Sequence, residues 1–501
     1  MIHEPHLLSK STFMYGAQCL KRLWLHRYRK DLRDEIDAQQ QAIFSSGTNV
    51  GELAQQLFPG GVDCTPETYY DFHPAIARTA ELIVQGHPVI YEAAFQHDRV
   101  LAALDILVLR EDGWHGYEVK STNSTKPPHV KDAALQYWVI IGAGVPLKSI
   151  NVLHFNSAYV RVGELDVKSL FTWDDVTEQV LELQPYITEQ VAVEKACLAS
   201  DTMPDIAIGP HCTSPYGCDF MGHCWKNEVS HSVFDLTRGS NKAQRLFEDG
   251  ITELTDIPDG FPLSFHQRIQ VESAKSGEPR INVEGIRSFL EGLTYPIYFL
   301  DFESIMPGVP IFDQTRPYQQ VVFQYSLHIQ HDPGDEFVED HAFLADPKDM
   351  DMRNTLMDKL LFELSIIYGA KGSILVYNQS FEVGRLKEAA RDLPHHADTI
   401  YNEVLPRIVD LAVPFQRKDY YTPEMNGRYT IKEVLPALVP ELSYSDLEIQ
   451  EGGTASLTFL QMVNGSFEGN VPKTREALER YCELDTWGMV RILEKLREVV
   501  S

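Results

Sequence analysis

Asp301 and Glu303 stand two residues apart where the apolar run YPIYFLDFES ends. Side chains alternate along a strand, so the two acids share one face while Phe302 points to the other. Like charges at the edge of a core are costly unless something positive joins them. Two later segments carry acids of the same kind. SILVYNQSFEVGRLKEAA reads as a strand followed by a helix, with Asn378 at the N-cap and Phe381 and Glu382 in the first turns. LERYCELDTWGMVRILEKL reads as an amphipathic helix with Tyr481, Leu484, Asp485, Gly488, Met489, Ile492 and Leu493 on one stripe. A lone acid on an apolar stripe is usually a cap or the partner of a buried arginine. Four acids converging from a strand end, a helix start and a second helix are better explained by metal. Two Mg2+ or Mn2+ ions would discharge the repulsion, activate a water and stabilise the leaving 3′-oxygen of a phosphodiester.

A second set of residues lies earlier in the chain. PVIYEAAFQ, VLAALDILVLR and WHGYEVKS read as three successive strands, rich in β-formers and broken by HD and EDG turns. Asp105 is on the second. Glu118 and Lys120 share one face of the third, with Tyr117 and Val119 opposite. KDAALQYWVIIGAG then reads as a helix and SINVLHFNSAYVRV as a further strand. By itself a Glu-x-Lys pair is usually a surface salt bridge. Beside a carboxylate on the preceding strand it can ligate one or two divalent cations, with the ammonium polarising a water or neutralising developing phosphorane charge.

The seven cysteines, an odd number without a secretion signal, argue against a disulfide framework. Cys212, Cys218 and Cys224 stand at even intervals in HCTSPYGCDFMGHCW, wider than the usual CxxC hook of zinc sites, although His211 and His223 keep zinc open. Cys19 is the candidate fourth ligand because it sits in a basic segment rather than an apolar run. Cys64, Cys197 and Cys482 read as ordinary thiols.

These residues need more than one ordinary domain to hold them, and 501 residues allow two or three. With 44% hydrophobic and 23% charged residues the chain is globular, not disordered. The net charge of −28 makes it a poor nucleic-acid binder in bulk, so any such binding rests on local basic patches and bound cations. CLKRLWLHRYRKDLR, residues 19–33, is one patch: six Lys or Arg against one Asp, interleaved with Trp24 and Tyr28. A solvated helix face reads equally well. No stretch reaches the length of a membrane span and the first residues lack the apolar core of a signal peptide, so a cytoplasmic protein without a membrane partner is expected.

One cysteine near the N-terminus and three about 190 residues later resemble the iron–sulfur staple of RecB-type nucleases. That resemblance implies a four-iron–four-sulfur cluster on Cys19, Cys212, Cys218 and Cys224, closing a PD-(D/E)xK domain around Asp105, Glu118 and Lys120. It adds Gln136 as the RecB-type glutamine. The family's metal-ligating histidine, in a G-T-x-V-H-E helix, is replaced: FSSGTNVGELAQQLFPGG has Gly51 there and keeps Glu52 as a ligand. The C-terminal motifs resemble the DEDD exonucleases of the RNase H-like (DnaQ-type) fold. Asp301 and Glu303 match D-x-E, and Tyr481 with Asp485 matches Y-x-x-x-D, where the tyrosine orients the attacking water. Glu382 stands where the family has aspartate. RIVDLAVPF, with Asp410 read as structural, and GRYTIKEVLPAL resemble the family's substrate-side helices.

The expected fold is therefore α/β and multidomain: residues 1–230 a PD-(D/E)xK restriction-endonuclease-like domain with an iron–sulfur staple, residues 231–290 a helical connector, and residues 291–501 an RNase H-like mixed-sheet domain. NKAQRLFEDGITELTDIPDG in the connector resembles a helix-hairpin-helix, though a plain helical linker fits as well. The whole resembles a two-module bacterial family. The expected function is a metal-dependent nuclease on single-stranded DNA or DNA ends, with RNA as an alternative substrate. It places 3′-5′ exonuclease chemistry in the C-terminal domain and a cluster-stapled nuclease or DNA-gripping role in the N-terminal domain. The rival is a nucleic-acid-binding adaptor whose nuclease folds have decayed, which Gly51, Glu382 and the acidic surface favour. An iron–sulfur redox protein finds no GxGxxG or GxxxxGK fingerprint.

Overall fold

The computed structural model describes residues 6–35, 50–68, 71–226, 232–335, 338–349, 351–367 and 369–501. The first part of the FSSGTNVGEL segment and the junction around residue 230 lie outside these. The protein is mixed α/β, with several sheets in two compact units: residues 1–227 with 308–318, and residues 228–307 with 319–501. The segment 231–290 thus falls within the second unit, and eleven residues from beyond it belong to the first.

The N-terminal unit is built on a seven-stranded sheet: β1 (Leu8–Ser9), β2 (Val62–Asp63), β3 (Val89–His97), β4 (Val100–Arg110), β5 (Gly113–Lys120), β6 (Leu147–Phe155) and β7 (Phe171–Asp175). The spatial order is β2-β3-β4-β5-β6-β7, with β1 pairing parallel to β4. β3, β4 and β5 form an antiparallel meander and β6 joins β5 in parallel. Parallel neighbours need a crossover, and α4 (Pro127–Gly142) supplies it, following α1 (Lys10–Gln18), α2 (Leu20–Tyr28) and α3 (His73–Val84) in the chain. α4 begins before the expected Lys131 because Pro127 and Pro128 fit a first helical turn, where an N–H would have no partner. α5 (Thr177–Ala199) packs beside it. The strand expected to run to Val162 stops at Phe155, where the Asn156 N–H donates to the Leu170 carbonyl and the chain turns away.

Residues 308–318 complete this unit from a distant part of the chain. Arg161 Nη1 donates to the carbonyls of Pro310 and Ile311, the Gly163 N–H to Asp313, and the backbones of Arg161 and Gln314–Thr315 bond to each other. The Tyr318 ring meets Phe155 edge-on at 5.8 Å, and its hydroxyl bonds Ser121.

The C-terminal unit has a five-stranded sheet, ordered β11-β10-β9-β12-β13. After β8 (Arg280–Ile281), its strands are β9 (Ile297–Ile305), β10 (Val321–Gln330), β11 (Glu339–Leu344), β12 (Ile374–Val376) and β13 (Ile408–Asp410); β14 (Tyr420–Tyr421) pairs antiparallel with β8 in a separate two-stranded sheet. β9 is central, antiparallel to β10 and parallel to β12. Its residues alternate little in burial because both faces are covered, which is why YPIYFL reads as a continuous apolar run. The helices are α6 (Ser240–Glu248), α7 (Phe265–Ser276), α8 (Val283–Glu291), α9 (Arg353–Leu361), α10 (Ser380–Asp392), α11 (Ile431–Leu438), α12 (Gly452–Val463) and α13 (Val471–Val500). α6 and α7 close a small core of their own, with Leu246, Leu254, Ile257 and Val271. α13 starts at Asn470, whose side chain accepts from the Lys473 N–H, and has Pro472 in its first turn.

α13 buries a wider stripe than expected: Cys482, Thr486 and Val490 join it, while Leu484 is half-buried. Asn378 is not the N-cap of α10. Gln379 holds that position, and Asn378 lies at φ 67°, a left-handed conformation asparagine tolerates. The capping is done by Asp410, whose carboxylate accepts from the N–H groups of Asn378, Gln379 and Ala412.

Removing the Tyr318 ring takes away both the Phe155 contact and the Ser121 bond. Tyr318→Ala should lower the stability of the N-terminal unit by about 2 kcal/mol, read as an earlier urea transition followed by the fluorescence of that unit's tryptophans.

Candidate metal centre

Three of the expected C-terminal acids meet. Ligand oxygens of Asp301, Glu303 and Asp485 all lie within 4.8 Å of one another. β9 presents the first two and α13 the third. Opposite Glu303 the β9–β10 register slips between Val322 and Gln324, a bulge that leaves Phe323 to stack on Phe459 at 4.1 Å. Bulges are a common way to re-aim side chains next to a site. Glu382, at the start of α10, is 1% exposed and its Oε2 has no hydrogen-bond partner. It stands outside the trio but within reach of its field.

The electrostatics record this crowding. Burial, then Asp485, then Glu382, push the Glu303 carboxyl up to about 8. Burial likewise raises Glu382 to about 8, with Asp410 and Asp485 adding to the shift. Asp301 is raised well above the carboxylate range by burial and by Asp485, Glu303 and Glu382. Asp485 is raised less, to about 6, because Tyr444 and Lys432 work against its burial. Tyr444 Oη donates to Asp485 Oδ1 at 2.5 Å, and the Cys482 thiol lies 3.6 Å from Asp301 Oδ2. Burial and these acids drive the Tyr481 phenol far up, so it stays a proton donor. Tyr481 Oη also borders α12, whose first residue is a glycine: a Cβ on Gly452 would stand 3.7 Å from that oxygen and 3.6 Å from Glu303 Oε2.

Lys432 was not singled out by its sequence context. Its ammonium lies 5.6 Å from the Tyr444 ring and 5.7 Å from that of Tyr481, and donates to the Gln450 carbonyl at 2.7 Å. On the facing side of α13, Gly488 lies against Leu435 of α11, where a Cβ would stand 2.8 Å from its Cδ2. The donor set of this centre is all carboxylate oxygen, a set that suits hard Mg2+ or Mn2+.

The N-terminal acids meet different company. Asp105 accepts from the Val119 N–H at 2.6 Å. Glu118, 1% exposed, receives both Lys120 and Lys10 on Oε1, each at 2.7 Å, and Lys120 also pairs with Asp132 at 2.5 Å. Burial works to raise Glu118, but Lys10 and then Lys120 outweigh it and hold the carboxyl well below its ordinary range. Asp105 goes the other way, raised by burial and Glu118 against the pull of Lys10. Gln136 is buried with both amide atoms unpartnered. Glu52 is exposed, and no bond joins it to Asp105 or Glu118; a Cβ on Gly51 meets nothing within 4 Å. Three participants escaped the sequence reading: Lys10, Asp132 and Glu92. Glu92 lies across from Asp105 at φ 50°, and burial raises its carboxyl. Backbone strain of that kind gathers at functional positions.

Cys19, Cys212, Cys218 and Cys224 line one pocket and all are free thiols. Cys19 sits at the junction of α1 and α2, Cys212 ends a 3-10 turn, and the Cys218 N–H bonds the Cys212 carbonyl. No three of these sulfurs close within 4.8 Å of one another, whereas a tetrahedral thiolate zinc site has edges of roughly 3.8 Å. The basic segment serves this pocket's frame. Arg22 and Arg33 both pair with Asp219, Arg29 with Asp31, and Lys21 bonds the Ile206 carbonyl. Trp24 and Tyr28 donate to the carbonyls of Ser200 and Leu198.

Among the described residues no helix is long and apolar enough to cross a membrane. Residues 298–430, which contain Asp301, Glu303 and Glu382, match a family described as a domain of unknown function, DUF2779. Relatives include the uncharacterized protein UU173 of Ureaplasma parvum serovar 3, 24% identical over 301 residues, 55% of this chain and 42% of that one. The uncharacterized MG366 homolog of Mycoplasma pneumoniae is 29% identical over 226 residues, 41% of this chain and 32% of its own. The chain therefore covers less than half the length of these curated relatives. A solved structure titled "Crystal structure of SSO0001" aligns with 45% of this chain and 88% of its own, at 11% identity and a TM-score of 0.23.

Proposed function

We propose that this protein is a metal-dependent nuclease whose phosphodiester hydrolysis belongs to the C-terminal unit and trims nucleotides from a 3′ end. The observation that carries this reading is the convergence of Asp301, Glu303 and Asp485, with buried Glu382 beside them. A central strand bearing the paired acids in a mixed five-stranded sheet supports the RNase H-like reading of this unit. Asp301, Glu303, Glu382 and Asp485 would hold Mg2+ or Mn2+, which when bound would supply water activation and charge neutralisation at the leaving 3′-oxygen. Asp485 is oriented for that task by Tyr444. Tyr481, kept protonated, donates a hydrogen bond that can align a water or a phosphate oxygen. Lys432 adds a positive charge at the tyrosine-lined edge, where a phosphate would otherwise face only acids.

For the N-terminal unit the PD-(D/E)xK reading is supported by Asp105, Glu118 and Lys120 on adjacent strands. The paired lysines already neutralise the Glu118 carboxylate that a metal would need, which argues against cutting by this unit. The pocket of four thiols supports an iron–sulfur cluster as its clasp. The spacing of those sulfurs favours a polynuclear cluster over single zinc. The substrate is a nucleic acid, DNA or alternatively RNA, since this chemistry addresses the phosphate backbone rather than the bases.

The test uses anaerobically purified protein with Mn2+ and end-labelled single-stranded DNA and RNA. Asp301→Ala should abolish 3′ laddering, a loss of at least about 100-fold, while Lys120→Ala should weaken binding and leave the ladder pattern intact. A distinct cut that disappears only in Lys120→Ala would make the N-terminal unit a second nuclease. Binding without cutting by the wild type would sink the reading in favour of the adaptor.

The raised carboxyls predict a pH signature in chelator-treated protein. Folded protein binds more protons than the unfolded chain wherever a carboxyl is raised, so stability falls as pH rises. The window runs from the ordinary carboxylate pKa, near 4.5, to about 8, the value for Glu303 and Glu382. Thermal melts should therefore show the midpoint dropping between pH 5 and pH 8. Mn2+ should restore it most at pH 8, and Glu303→Gln should flatten the slope.

A further inference from the structure

A second group of metal-ligating side chains lies elsewhere in the C-terminal unit. Asp358 projects from α9, and His395 and His396 occupy a single 3-10 turn, Pro394–His396, directly after α10. One ligand atom from each comes within 4.8 Å of the other two. His396 Nε2 is buried and only 3.2 Å from Asp358 Oδ1, yet the two are not in hydrogen-bond geometry. Metal–ligand bonds of 2.0–2.1 Å at a tetrahedral ion give edges of roughly 3.3 Å, close to this separation. The two imidazole rings stand 4.0 Å apart and 45° to each other, so both can turn a nitrogen toward that point.

We propose that His395, His396 and Asp358 form a binding site for a borderline transition-metal dication, with zinc as the best fit. Two imidazoles and one carboxylate are the donors such an ion prefers, and they differ in kind from the all-oxygen set around Asp301. Asp358 is 69% exposed, which leaves the fourth position to water. The ion would tie α9 to the far end of α10, the helix whose first turn carries Glu382. It would thereby stiffen the element that positions that acid without touching the acid itself. This assignment stands whether or not the carboxylate centre is catalytic.

The experiment titrates Zn2+ into the full chain against a chromophoric competing chelator, with excess Mg2+ present to occupy carboxylate sites. Wild type is compared with His395→Gln, His396→Gln, Asp301→Asn and Cys224→Ser. One zinc should bind in wild type, Asp301→Asn and Cys224→Ser, and its affinity should fall at least about tenfold in each histidine variant. His395 is exposed, so His395→Gln tests the site without disturbing the core. Zinc should also raise the melting temperature of wild type and not that of His395→Gln. Unchanged zinc affinity in both histidine variants overturns the proposal. So does zinc binding that Mg2+ displaces, or that disappears with Asp301→Asn or Cys224→Ser.

Discussion

Like charges buried together set the terms for the rest of the molecule. Two carboxylates 4.8 Å apart at an effective dielectric of about 20 repel by about 3.5 kcal/mol. Three such pairs approach about 10 kcal/mol, as much as the whole stability of an ordinary domain. Asp301, Glu303 and Asp485 cannot all be ionised and unaccompanied in a folded unit. Protons or cations must share the space, and the frame that keeps the acids there has to be strong. A fully buried central strand and a thirty-residue helix with a broad apolar stripe are that frame.

The N-terminal unit resolves the same constraint in the opposite way. Its acids Glu92, Asp105, Glu118 and Asp132 face Lys10 and Lys120, so most of the charge is neutralised by side chains already present. Lysines held this way are drawn toward carboxylates, and a phosphate would have to compete for them. Near the C-terminal acids, Lys432 bears on Glu303 and Asp485 from the edge rather than the centre, and Arg385 bears on Glu382. The contrast separates a site that can receive cations from one that brings its own. In the basic segment Arg22 and Arg33 pair with Asp219 and Arg29 with Asp31, while Arg27, Arg29 and Lys30 stay exposed.

Much of this was legible in the sequence because it is local. β-rich runs with turn signals marked the β3–β5 meander, and the stripe on α13 marked Asp485 and Tyr481 as inward-facing. Even spacing singled out Cys212, Cys218 and Cys224, and the basic segment pointed to Cys19; all four line one pocket. What escaped was non-local. Lys10 is far from Glu118 in sequence and lies in a helix with no obvious active-site signature. Lys432 comes from α11, far along the chain from Glu303 and with no motif of its own around it. Cys482 read as an ordinary thiol, since nothing local says that its helix face meets Asp301. Asn378 looked like a cap because asparagine before a helix usually is one. The actual donor-satisfying group, Asp410, comes from the neighbouring strand, which no local window contains.

Residues 308–318 impose an order in time. During synthesis the first 227 residues leave the ribosome together, yet the unit they form still lacks the Tyr318 ring over Phe155 and the carbonyls that satisfy Arg161. At ordinary elongation rates those residues follow about 5–20 s later. For that interval the Phe155 ring and the Arg161 guanidinium lack these partners. β9, with its paired acids, is also made before the segment that must depart from it. The first unit therefore matures only as the second begins to fold.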